Sequence, residues 1–196
     1  EILGVPTDAT ALTVDAGVTR VVLPNGNHLK TLTLYASSLD EIPEINYENV
    51  GRNCCIVVKS SLFADYVRAN AATLRTYGIH VAPANDPVNS HTVQDNLLLS
   101  GNKQVHLVVD PQTRWLSLPN GITGMDSGAL NGLNDLTTLF LPQNGSALTL
   151  ADDCFDGAPN LELIVCYSTG QYNAALAAAP EGVQVQLVTI VNADGF

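Results

Sequence analysis

Short apolar runs alternate with turn-forming segments along the chain, and within each run the apolar residues fall on alternate positions or sit side by side. Val21-Val22-Leu23, Leu32-Thr33-Leu34, Leu107-Val108-Val109, Leu116-Ser117-Leu118 and Leu139-Phe140-Leu141 are of this kind. Runs this short, bounded by Pro, Asn and Gly, predict brief strands with one face buried.

The runs also recur. Leu116-Ser117-Leu118-Pro119 is followed by a Gly-Ile-Thr turn, Ala129-Leu130-Asn131-Gly132 and Leu136. Leu139-Phe140-Leu141-Pro142 is followed by Leu148, Cys154-Phe155-Asp156-Gly157 and Leu161, after which Ile164-Val165-Cys166 arrives at the same distance again. A single strand-plus-loop unit cannot bury its leucine face, so such units must stack their strands into a parallel sheet over a shared core. Alternation then assigns the side chains. Leu116, Leu118, Leu139, Leu141, Ile164 and Cys166 are expected to point inward, and Trp115, Ser117, Thr138, Phe140, Val165 and Tyr167 outward.

The first half follows the same plan. Val21 and Leu23 match Val105 and Leu107, and Leu32 and Leu34 match Leu116 and Leu118, all at one offset; Ile56-Val57-Val58 matches Ile164-Val165-Cys166 at an offset longer by about one repeat. The expectation is a duplication whose second copy carries one extra repeat. Each copy closes with a helix and a strand: a helix from Ser60 with Ser as its cap and an apolar stripe at Leu62, Tyr66 and Leu74, then Ile79-His80-Val81; and an Ala-rich helix opening at Ser168, ended by Pro180-Glu181-Gly182, then a strand from Val183 to Val191. Terminal caps of this kind hide an open sheet edge. The stretch 84–95, rich in turn formers, reads as a linker between a first copy at 1–83 and a second at 96–196.

The units Leu-x-Leu-Pro with Ala129-Leu130-Asn131-Gly132-Leu133-Asn134-Asp135-Leu136, and with Cys154-Phe155-Asp156-Gly157-Ala158-Pro159-Asn160-Leu161, resemble BspA-like leucine-rich repeats. That family's pattern is Ala-Phe-x-Gly-Cys ahead of a Leu and the next strand; here Cys154 takes the small position and Ala158 the Cys position. The resemblance is closest over 105–170, and the segment Leu39 to Asn53 lacks the Phe-x-Gly signature. It implies an α/β repeat fold, a leucine-rich-repeat solenoid with short parallel strands, turn-rich loops and helix-plus-strand caps. It also implies a bacterial-type protein that is secreted or held at the cell surface, acting in adhesion or protein binding, with no catalytic residues to transfer.

Charge narrows the partners. Nineteen acidic residues face eight Lys plus Arg, for a net charge of -11, and the basic residues are scattered. Such a field repels phosphate backbones, so nucleic acid is not expected as a partner. No run approaches a membrane span, so membrane insertion is not expected either. The first residues, 1–17, have no basic start or apolar signal core, and a targeting peptide is expected to be absent or already removed. Cys54, Cys55, Cys154 and Cys166 fit buried thiols better than a disulfide framework.

Candidate chemistry is sparse. His28, His80, His91 and His106 have no metal-ligand spacing, and Asp152, Asp153 and Asp156 lack the alternation of a calcium loop. Neither Ser100-Gly101 nor Ser127-Gly128 sits in a nucleophile elbow, and acidic pairs such as Asp40-Glu41 carry no specificity. The expectation is therefore a protein without catalytic residues, cofactor or metal, with a hydrolase as the third alternative after protein binding and glycan binding. The sharper reading is a binding patch on the outward strand face, made of Trp115, Phe140 and Tyr167 with Ser117 and Thr138, that takes a protein ligand or stacks a glycan ring.

Overall fold

The computed structural model describes residues 2–188, which form a mixed α/β protein with mostly parallel sheets and few helices. The chain divides into two compact units, Glu1–Asp95 and Asn96–Phe196.

The first unit runs β1 (Ile2–Gly4), β2 (Ala11–Val14), β3 (Arg20–Val22), β4 (Thr31–Leu34), β5 (Glu44–Ile45), β6 (Cys55–Val58), α1 (Phe63–Tyr77), β7 (His80–Pro83) and β8 (His91–Gln94). The odd strands β1, β3 and β5 pair in parallel, as do β2, β4, β6 and β7, so the chain crosses from one sheet to the other at every turn until the helix. Register explains the leucine pattern: Leu12, Leu32, Ile56 and Val81 stand side by side, and the last three are fully buried. Each fully buried aliphatic side chain contributes about 1.5–3 kcal/mol. Helix α1 covers this core with Phe63, Tyr66, Val67 and Leu74, and ends on Gly78 in the left-handed region at φ 62°. Asn46 secures a turn between coils, accepting from the Leu23 amide at 2.8 Å and donating to its carbonyl at 2.9 Å.

The second unit runs β9 (Leu97–Ser100), β10 (Gln104–Val108), β11 (Trp115–Ser117), β12 (Gly124–Met125), β13 (Thr138–Phe140), β14 (Thr149–Leu150), β15 (Leu163–Cys166), α2 (Thr169–Ala178) and β16 (Gln184–Leu187). After the antiparallel β9–β10 pair, β10, β12 and β14 form one parallel set and β11, β13, β15 and β16 another. Leu116, Leu139 and Ile164 share one row, and Leu118, Leu141 and Cys166 are buried one step further along. Gly124 and Gly157 mark where coils approach most closely. A Cβ on Gly124 would collide with the Thr149 carbonyl, and one on Gly157 with the backbone of Asn131. That contact accounts for Gly157, whereas Gly132, at the matching place in the preceding unit of the signature, has a positive φ of 81°.

Several expectations are corrected. Among the described residues, both units place three mutually parallel strands before the helix and one after it: β2, β4, β6, α1, β7 and β11, β13, β15, α2, β16. Leu-x-Leu stands at 32–34, 116–118 and 139–141, so by pattern Leu32 matches Leu139 as well as it matches Leu116. Ser60 does not cap α1; Leu62 precedes the helix without a side-chain cap, and Ser60 Oγ instead accepts from the Asn85 amide at 3.1 Å. Ser168 does cap α2, accepting from the Gln171 amide at 3.2 Å. Residues 84–95 are no free linker: Ala84 donates to the Val58 carbonyl at 2.8 Å, and β8 pairs with β7 through Val81 and His91. The closing strand of the second unit is Gln184–Leu187, and the expected continuation over 189–191 lies outside the described residues.

Candidate functional site

The outward face of β11, β13 and β15 carries the side chains that alternation placed there, with differences set by register. Trp115 stands beside Thr138, whereas Phe140 stands between Ser117 and Val165, one row further along the strands. Tyr167 follows β15, beyond the Cys166 row. The three aromatics thus descend a diagonal, each about 8 Å from the next, given about 4.8 Å between strands and about 6.6 Å for two residues along one. Their exposure differs too. Trp115 is 68% exposed, Phe140 and Tyr167 are half-buried, and Val165, expected outward, is 6% exposed. Val165 lies mid-sheet with Phe140 and Gln186 as in-register neighbours, so position within the sheet overrides its parity.

Trp115 is also held. The Arg114 guanidinium lies 5.8 Å from the centroid of its ring, a cation–π contact that contributes about 0.5–1 kcal/mol at an exposed site. The backbone carbonyl of Arg114 accepts from the Thr137 amide at 2.9 Å, which fixes where the strand begins. Trp115 is the one tryptophan of the sequence, and its neighbour Arg114 lines a groove.

That groove, about 540 Å3, runs along the entry edge of the sheet and is lined by Gln112, Arg114, Asn134, Asp135, Thr137, Asn160 and Glu162. Arg114, Thr137 and Glu162 each immediately precede a strand, so they form a row across the rungs. Asn160 donates to the Asn134 carbonyl at 2.7 Å, locking the neighbouring turns together. Sequence reasoning missed this groove. Its signal was available, since one polar residue stands directly before Trp115, Thr138 and Leu163, but its parity is that of the core.

Other polar groups are arranged differently from their sequence reading. His106 Nδ1 lies 3.0 Å from Asp126 Oδ2 in the second unit, and His80 Nδ1 lies 3.1 Å from Ser90 Oγ in the first. Among the described residues the His80 ring has no carboxylate partner of the kind that orients a catalytic base. Asp153 accepts from Ser127 Oγ at 2.7 Å, a link between turns. All four cysteines are free thiols. Burial pushes Cys54 and Cys154 up to about 12 and Cys55 and Cys166 up to about 11, so none is a reactive thiolate at neutral pH. In Cys154 the neighbouring Asp153 adds to the burial effect. Burial likewise raises Tyr47 and Tyr66, whose hydroxyls lie 3.1 Å apart. No helix among the described residues is long and apolar enough to cross a membrane.

No family description and no curated protein matches the chain. Among solved structures, it is similar to a leucine-rich repeat protein from Eubacterium ventriosum, at 9% identity and a TM-score of 0.24, over 92% of this chain and 73% of that one.

Proposed function

We propose that the chain is a non-catalytic leucine-rich-repeat scaffold of the BspA-like kind, built as two related solenoid copies, that acts outside the cell or at its surface in protein binding or adhesion. The repeat reading is supported by the in-register rows of leucine and isoleucine and by the equal order of elements in the two units. The binding reading is carried by one observation, the exposure of Trp115 on a rigid strand face. A side chain of that size left in water forgoes most of its burial energy, and tryptophans are enriched among residues that anchor partners. A net charge of -11 fits partners that are neutral or basic.

The test is capture of purified extracellular and matrix proteins by the immobilised chain, compared with Trp115→Ala. Binding that falls at least tenfold in the variant, with an unchanged urea midpoint, supports this surface as the interface. Equal capture by both chains sinks it.

A glycan-binding reading is favoured by a separate observation, the polar groove that meets Trp115 at Arg114. Planar amides and carboxylates beside an aromatic ring supply the hydrogen bonds and the stacking face that a sugar needs. A glycan-array signal lost in both Trp115→Ala and Glu162→Gln selects this reading; a signal indifferent to Glu162→Gln removes the groove from it.

A further inference from the structure

The first unit carries a second site, on the outward face of β4 and β6, that is independent of the Trp115 reading. A cleft of about 530 Å3 opens there, with Thr31, Thr33, Tyr35, Val57, Lys59 and Pro87 among its lining. This volume lies within the range of about 300–1,000 Å3 typical of small-molecule pockets.

Side-chain choice creates it. In register, the outward row of the first unit is Thr13, Thr33, Val57 and Ala82, and the row at the same place in the second unit is Ser117, Phe140, Val165 and Gln186. Where the second unit puts the ring of Phe140, the first puts the small side chain of Thr33. The next residues along, Tyr35, Lys59 and Ala84, form the far end of the cleft.

Both walls are pinned by hydrogen bonds. On one side, the Ser37 amide donates to Glu41 Oε2 at 2.7 Å and the Tyr35 amide to the Val14 carbonyl at 2.9 Å. On the other, Ser60 Oγ donates to Asn85 Oδ1 at 2.6 Å, Ala84 donates to Val58, and Asp86 accepts from Asn89 Nδ2 at 2.8 Å. The cleft is therefore pre-organised, which lowers the entropy cost of filling it.

Its chemistry is divided. Val57, Leu34, Ala36 and Pro87 give an apolar floor and side, and the ring of Tyr35, 60% exposed, gives a flat wall. Lys59 supplies a cation whose Nζ lies 3.5 Å from Ser37 Oγ and which has no carboxylate partner among the described residues. An ammonium left without a counter-ion in so acidic a chain, at the end of an apolar slot, favours one kind of occupant. We propose that this cleft binds a small amphiphile with a flat apolar body and an anionic head, such as an aromatic carboxylate or sulfonate. The body lies against Val57 and Tyr35, and the head takes hydrogen bonds from Lys59 and the Ser37 hydroxyl.

The test uses 1-anilinonaphthalene-8-sulfonate, an anion with a planar naphthalene body that fluoresces in apolar surroundings. The folded chain is expected to bind it at one site, with displacement by naphthoate. Thr33→Phe, which copies the second unit's row, is expected to abolish that signal, and Lys59→Gln to weaken it about fivefold at low salt, the size of a solvent-facing ion pair. Trp115→Ala leaves it unchanged, which separates this site from the proposed scaffold surface. Urea midpoints confirm that each variant folds. Undiminished binding by folded Thr33→Phe overturns the site. Binding insensitive to Lys59→Gln and to salt overturns the anionic head, as does stronger binding of the uncharged N-phenyl-1-naphthylamine.

Discussion

The outward faces of the two units use the same rows of parallel strands and finish them differently. In the first, Thr31, Thr33 and Val57 leave a cleft with Lys59 at one end; in the second, Phe140 occupies the corresponding place and Trp115 is exposed. One face is open at this place and the other is filled. The rungs fix where a side chain stands, and its bulk decides whether the surface there is open or filled. Inward rows have no such freedom, because they must fill a shared core.

The strongest way to break this equivalence is to truncate matching core leucines. Leu34→Ala and Leu141→Ala are each expected to cost about 2–5 kcal/mol in urea melts, since both are buried in the same row of their units. A cost under about 1 kcal/mol for either would mean that its coil is not packed as the other is. Gly157→Ala is expected to cost about 1–3 kcal/mol, because the new Cβ meets the backbone of Asn131, which a rotamer change cannot relieve.

Alkaline titration sharpens the comparison without mutation. Burial raises Cys54, Cys55, Tyr47 and Tyr66 in the first unit, and Cys154 and Cys166 in the second. For a group whose folded value is raised, the unfolded chain loses its proton first, so stability is full below the ordinary value and falls as pH rises toward the folded one. The window for the thiols runs from 9.0 to about 12, as for Cys54. The first unit, with the raised phenols of Tyr47 and Tyr66 besides its thiols, should give way at lower pH. Circular dichroism should therefore change before the fluorescence of Trp115, and coincident transitions would refute that order.

Phe140→Thr is expected to cost about 1 kcal/mol as a half-buried aromatic and to open a second cleft, read as a gain of anilinonaphthalene fluorescence. Asp152→Ala, on an exposed turn, should stay within about 0.5 kcal/mol of the parent.

The strand faces were legible in the sequence because burial on one side imposes alternation, and Leu116, Leu139 and Ile164 fall where that rule puts them. The pairing of whole units was less so. A repeat matches itself at every period, so the offset that aligned Leu32 with Leu116 was as good by pattern as the one that aligns β4 with β13. Ser60 looked like a cap because Ser before a helix usually is one, yet it had a better partner in Asn85, distant in sequence. The groove beside Trp115 hid behind core parity at strand entrances. The cleft was invisible for a different reason: it is made by the small size of Thr33 and walled by 84–87, and neither leaves a motif.

The order of the rungs has a mechanical consequence. Within β2, β4, β6 and β7, and within β11, β13, β15 and β16, each strand bonds to the strands one coil before and after it, and never to a distant one. Tension on the ends of such a ladder loads one rung at a time, so it opens like a zipper, at low force and in small steps. Strands sheared past one another would hold to a higher force and then fail together. A ladder built this way yields gradually under load and re-forms from whichever rungs survive.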